Sequence, residues 1–177
     1  MEQEYDIVLA IDTGNTESGY CITDKQYRPL NFGKIENHEI MNLFQLPVLL
    51  EARHAGLKIA VVLEMVASYG MPVGKEVFDT CLWNGVFARH FNGLMHSPVF
   101  LLYRISEKVN LCHSANAKDT NIRQALVDRF AYGQSNYGKG TKKNKGWFYG
   151  FKADVWAAYA VNVTFRDNKE YGKLFFE

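Results

Sequence analysis

IVLAIDTGNTESGYCIT, residues 7–23, is the stretch from which the fold is read. Ile7, Val8, Leu9 and Ile11 form an apolar run of the kind that is buried on both faces of a sheet. Asp12 breaks the run at its end. Thr13-Gly14-Asn15 turns the chain, and Ser18 to Thr23 returns as a second strand. A carboxylate at the end of a core strand is costly to bury unless a cation meets it, which marks Asp12 as a candidate site. Asp and Asn also cap tight turns for purely local reasons. Taken alone, the stretch supports a turn cap, a phosphate-binding turn or a metal ligand equally, and its glycines suggest room for a polyanion backbone to approach Asp12.

The same pattern recurs downstream. In KIAVVLEM (58–65) the run Ile59 to Leu63 reads as a second buried strand, closed again by one carboxylate, Glu64. Between the two, Arg28 to Phe32 is expected to form a third strand, making an opening meander. Asn37 is a candidate N-cap for a helix through Ile40, Leu43, Phe44 and Val48 that Pro47 interrupts. A turn-rich loop, VASYGMPVGK, carries Tyr69 and Lys75. The helix that follows, EVFDTCLWNGVFARHF, has Val77, Phe78, Cys81, Leu82, Val86 and Phe91 along one side and Trp83 and Phe87 on another. Apolar residues on more than one face point to packing between the sheet and a partner, with a dimer interface as the expectation. PVFLLYRI (98–105) is the next strand, and Asp119 is expected to cap a helix bearing Ile122, Leu126 and Phe130. ADVWAAYAVNVTF (153–165) is a final helix with Val155, Trp156, Tyr159 and Val163 inward and Asp154 in its first turn, where the helix dipole favours an acid.

Composition bounds the class. At 177 residues with 47% hydrophobic content, one domain spanning 1–177 with an ample core is expected. No apolar run reaches the roughly 20 residues of a membrane span, and the acidic start MEQEYD is unlike a signal peptide. Cys21, Cys81 and Cys112 show no CxxC spacing, which argues against a disulfide framework or thiolate zinc site; a cytoplasmic setting fits. The net charge of +1 conceals two halves: residues 1–100 hold seven Lys/Arg against twelve Asp/Glu, and 101–177 hold thirteen against seven. A basic half beside an acidic one points to a polyanion partner held next to an acidic centre. The basic half contains one low-complexity patch, a flexible surface loop at about 133–147, with Lys139, Lys142, Lys143 and Lys145 among glycines and aromatics. Its GQSNYGKG resembles a phosphate-cradling loop, but Gly140 stands where a hydroxyl is needed and a helix precedes it, so that reading is rejected.

Asp12, Glu64 and Asp154 are thus set apart by position. If the fold brings them together, they cannot all stay ionised without a cation. Hard divalent ions, Mg²⁺ or Mn²⁺, suit oxygen donors, and two such ions about 4 Å apart would serve phosphodiester hydrolysis.

The series IDTGNTESGYCI, VVLEM and KADVWAAYAV resembles the RuvC-type Holliday-junction resolvases of the ribonuclease H-like superfamily, in particular the bacteriophage-encoded versions. The tract from Lys108 through GKGTKKNKGWFYGFKADVW extends the likeness over nearly the whole chain. The resemblance implies an α/β ribonuclease H-like fold, a mixed sheet with helices on both faces. It implies a crossover-junction endodeoxyribonuclease of DNA recombination and repair, acting as a homodimer on four-way junctions. Asp12, Glu64 and Asp154 would then be catalytic and hold two metal ions. Tyr69, Lys75, Lys108, Lys118 and the four loop lysines would contact DNA. One departure stands out: a second acid or His often lies three residues before the last Asp, where this chain has Phe151, so Asp119 becomes a candidate further ligand. Three rivals remain. IDTGNT also resembles the first phosphate loop of actin-like small-molecule kinases, although the second such motif is missing. A hybrid-cutting ribonuclease H shares the chemistry, and a non-catalytic branched-DNA-binding module would use the lysines alone.

Overall fold

The structure is a computed structural model that describes residues 5–68, 70–93 and 95–176. β1 (Ile7–Asp12) lies at the middle of a six-stranded sheet in the order β3-β2-β1-β4-β5-β6. β2 (Glu17–Thr23) and β3 (Pro29–Glu36) run antiparallel as the expected meander, with β3 continuing four residues beyond the expected Phe32. β4 (Ile59–Met65) and β5 (Val99–Tyr103) run parallel to β1, and the short β6 (Lys173–Leu174) closes the far edge antiparallel to β5.

Both faces of the sheet are covered, which is why its central strands carry unbroken apolar runs. On one face Ile7, Leu9, Ile11, Val61 and Leu63 meet α1 (Asn37–Ile40), a 3-10 turn at Leu43–Gln45, α2 (Pro47–His54) and α3 (Lys75–Gly93). On the other, Val8, Ala10, Ala60 and Val62 meet Val161 and Phe165 of α6 (Ala153–Asp167). Further along that face α6 packs on α4 (Arg104–Cys112) and α5 (Asp119–Phe130). Each fully buried Leu, Ile or Phe contributes about 1.5–3 kcal/mol.

Three sequence expectations change. The stretch from Asn37 is indeed broken ahead of Pro47, but into α1 and a 3-10 turn, and Pro47 itself opens a second helix, α2, at its first position, where a missing N–H costs nothing. β5 stops at Tyr103, and the chain turns at Arg104 directly into α4. Lys118, not Asp119, is the N-cap residue of α5, and its backbone N–H donates to Asn121 Oδ1 at 2.9 Å.

A buried amide sets how α6 lies across the sheet. Asn162 accepts from Thr23 Oγ1 at 2.6 Å and donates to the carbonyls of Val8 and Cys21 at 3.0 and 3.2 Å. That fixes the register of the helix, and with it the position of Asp154 about two turns earlier.

Candidate active site

The parallel pairing places Ile11 beside Leu63, so Asp12 and Glu64 follow as neighbours at the same ends of β1 and β4. Their carboxyl groups lie close enough for each to shift the other's ionisation. On the other side of β1, Asp12 is paired with Gly19 of β2. A side chain there would meet α6: a Cβ on Gly19 would lie 2.5 Å from the Asp154 carbonyl oxygen and 2.9 Å from its Cβ. The glycine therefore makes room for the first turn of α6, rather than for a ligand as the sequence suggested. Asp12, Glu64, Asp154 and Asp119 line one cleft of about 310 Å³, together with Arg104, Arg123 and Trp156.

Polar ties hold the loop after Asp12. Thr13 Oγ1 donates to Asn84 Oδ1 at 2.7 Å, and Asn84 Nδ2 donates to the Glu64 carbonyl at 3.1 Å. Ser18 Oγ donates to Asn37 Oδ1 at 2.6 Å, and Asn37 Nδ2 donates to the Gly14 carbonyl at 3.0 Å. Asn37 is thus a clamp on the turn rather than a helix cap; the N-cap residue of α1 is Glu36. Sequence reading missed Asn84 because an Asn inside an apolar helix has no pattern of its own.

It also missed the cleft's charged floor. Arg104 Nη1 donates to Glu107 Oε2 at 2.8 Å and lies 3.6 Å from Glu64 Oε2, while Nη2 donates to Asp119 Oδ1 at 2.7 Å. Glu107 is fully buried. The available signal was the Arg-x-x-Glu spacing, which puts both side chains on one helix face. Burial pushes the Glu64 carboxyl up to about 8, reinforced by the Asp12 charge and opposed by Arg104. Burial raises Asp12 as well, against the adjoining Glu64 carboxyl and Arg104. Glu107 is driven well above its ordinary value, first by burial and then by Glu64. Burial works against the Arg104 charge, but Glu107 and Glu64 outweigh it and hold the guanidinium protonated.

Asp154 sits at the opposite wall, where Lys34 Nζ from β3 approaches its Oδ2 to 2.8 Å and Glu17 Oε2 to 3.3 Å. Among the described residues no three acidic, His or Cys side chains are drawn together as a finished metal cage. The donor set nevertheless suits a hard cation: it is all oxygen, and Glu64 Oε2 is buried without a hydrogen-bond partner. Asp119 lines the cleft, but its carboxylate is 79% exposed and already accepts from Arg104. Phe151 is buried among Phe32, Phe148, Trp156 and Tyr159, so that position offers the cleft no donor.

The basic residues lie outside the cleft wall. Lys75 opens α3 and pairs with Asp79 at 2.6 Å. Lys108 is half-buried on α4, and Lys118 is exposed at the start of α5 beside Asp119. Residues 133–147 fold back on themselves through a Gly140–Lys145 bridge, with Thr141 N–H donating to the Asn144 carbonyl at 2.9 Å. Lys142 and Lys143 are exposed there, Lys139 is half-buried, and Lys145 lies over the Tyr149 ring at 5.0 Å. Tyr69 lies outside the described residues. Tyr137 from this segment and Trp156 flank the Arg123 guanidinium at 5.8 and 5.7 Å, bringing a cation that sequence reading overlooked to the cleft.

No protein-family model matches the chain, and no curated protein matches it. Solved structures do. The Thermus thermophilus RuvC structure is 16% identical, with a TM-score of 0.62 over 96% of this chain and 99% of that one. T. thermophilus RuvC in complex with a Holliday junction substrate is 15% identical, with the same TM-score and coverage. The chain has the α/β ribonuclease H-like fold in its RuvC-like arrangement.

Proposed function

We propose that this chain is a metal-dependent, structure-selective endodeoxyribonuclease that resolves four-way DNA junctions. The observation that carries the reading is the convergence of Asp12, Glu64 and Asp154 on one cleft in a RuvC-like fold, with a Glu64 oxygen buried and without a hydrogen-bond partner. One of the matching structures is itself a complex with a Holliday junction. Asp12, Glu64 and Asp154 would hold Mg²⁺ or Mn²⁺, which would activate water and stabilise the leaving oxygen. The chain's own groups do the rest. To hold a cation, Asp12 and Glu64 would have to be ionised against the burial that raises both, and Lys34 would have to release Asp154. Arg123 and the lysines at 118, 139, 142, 143 and 145 meet backbone phosphates, as do Lys75 and Lys108 from their helices. The lysine-rich tract before α6 supports the bacteriophage-encoded type, and with it a role in recombination or repair in the host-cell cytoplasm.

Paired cuts call for a C2 homodimer. Supporting that reading, the outer face of α3 presents Phe78, Leu82 and Val86 exposed, beside an apolar groove of about 620 Å³ lined by Met41, Leu82, Gly85 and Val86. We read residues 1–177 as one domain.

The test is cleavage of an end-labelled four-way junction in Mg²⁺ or Mn²⁺. Wild type should cut symmetrically. Asp12→Asn and Glu64→Gln should bind the junction but cut it at least about a hundredfold more slowly, the scale set by loss of a preorganised electrostatic group. Undiminished cutting by both variants would overturn the assignment.

A further inference from the structure

The acids around the cleft divide into two sets. Glu107 Oε2, Asp119 Oδ1 and Glu64 Oε2 face the Arg104 guanidinium at 2.8, 2.7 and 3.6 Å. Asp12 and Asp154 form the other, and Glu64, which neighbours Asp12 at the strand ends and has no hydrogen-bond partner for its Oε2, belongs to both. Arg104 cannot drift from its place. It is the first residue of α4, coming straight off β5, and its Glu107 partner is fully buried with a second oxygen that has no hydrogen bond. On the α6 side, where one more donor would be needed to seat a second ion, Phe151 is committed to the aromatic core.

We infer that Arg104 is a resident cation that takes the place of a second divalent ion, so that each chain holds one metal rather than the two expected from its acids. The inference rests on the nuclease reading. A guanidinium supplies positive charge in a fixed planar fork that spans two carboxylates at once. It does so in the metal-free protein too, where it keeps the acids from repelling one another apart.

The experiment is Mn²⁺ binding to the full chain without DNA, followed by electron paramagnetic resonance and calorimetry. Wild type should bind one Mn²⁺ per chain. The double variant Arg104→Gln/Glu107→Gln removes the cation without stranding its buried partner, and should bind two. Arg104→Lys keeps the charge and should stay at one; circular dichroism melting establishes that each variant is folded. Two ions per wild-type chain, or one ion in the folded double variant, would overturn the inference while leaving junction cutting untouched. A wild-type chain that binds no ion and cuts no junction would overturn the nuclease reading, and this inference with it.

Discussion

Glu64 is the residue on which most of the site's behaviour turns. Its folded-state carboxyl is held up to about 8 by burial and by Asp12, against an ordinary value of 4.5. Between those limits the metal-free folded chain keeps a proton that the unfolded chain has released, so stability must fall as pH rises through that window and level off above it. One proton corresponds to a slope of up to about 1.4 kcal/mol per pH unit. Melting in chelator should therefore drop in temperature between about pH 5 and pH 8. Glu64→Gln, neutral at every pH, should lessen that decline, leaving the part due to Asp12 and Glu107, which burial also raises; identical pH profiles would mean the buried proton is elsewhere. The place of Glu64 in the cleft was legible in the sequence, because a single acid closing an apolar strand has few structural uses. Glu107 and Arg104 were not. A charged pair in a half-polar helix looks like solvent-facing decoration until the fold shows it pointing inward.

Among the elements, the contact between β2 and α6 tolerates the least change. Gly19 lets the first turn of α6 come down beside Asp12, and Asn162 bolts the helix to β1 and β2 further along. Gly19→Ala puts a methyl 2.5 Å from a backbone oxygen, and backbone cannot swing aside as a side chain can. The expected cost is about 1–3 kcal/mol, measured by denaturant unfolding, with junction cutting lost more steeply than stability because Asp154 is displaced. Wild-type stability in that variant would show that the helix can slide freely. Strands were the readable elements: β1, β4 and β5 are apolar on both faces, and nothing but a covered sheet accounts for that. Helix orientation was harder. In α3 the greasiest stripe, Phe78, Leu82 and Val86, faces out, while the buried face mixes Thr80 and Asn84 with Phe87, Ala88 and Phe91. Hydrophobicity counts the demand for burial and does not say which partner supplies it. The lysines of 133–147 posed the reverse difficulty, since composition announced a loop but not the bridge that folds it or its reach to Arg123 through Tyr137.

At the scale of the whole molecule, four acids and two arginines line one cleft, and among the described residues no helix is long and apolar enough to cross a membrane. The exposed stripe on α3 is the feature an isolated chain would least be expected to keep. Leu82→Glu should leave the fold intact, because Leu82 is 69% exposed, yet shift the proposed dimer to monomer in analytical ultracentrifugation. A sedimentation profile unchanged by the added charge would place the pairing surface elsewhere. The inner face of the same helix holds Asn84, which grips Thr13 and the Glu64 backbone at once. One rod thus carries the outward stripe on one side and the ends of both acid-bearing strands on the other. If the proposed homodimeric nuclease is right, dilution should do more than separate two copies: specific activity per chain would fall with concentration ahead of DNA occupancy, setting a threshold below which stray single copies stay quiet.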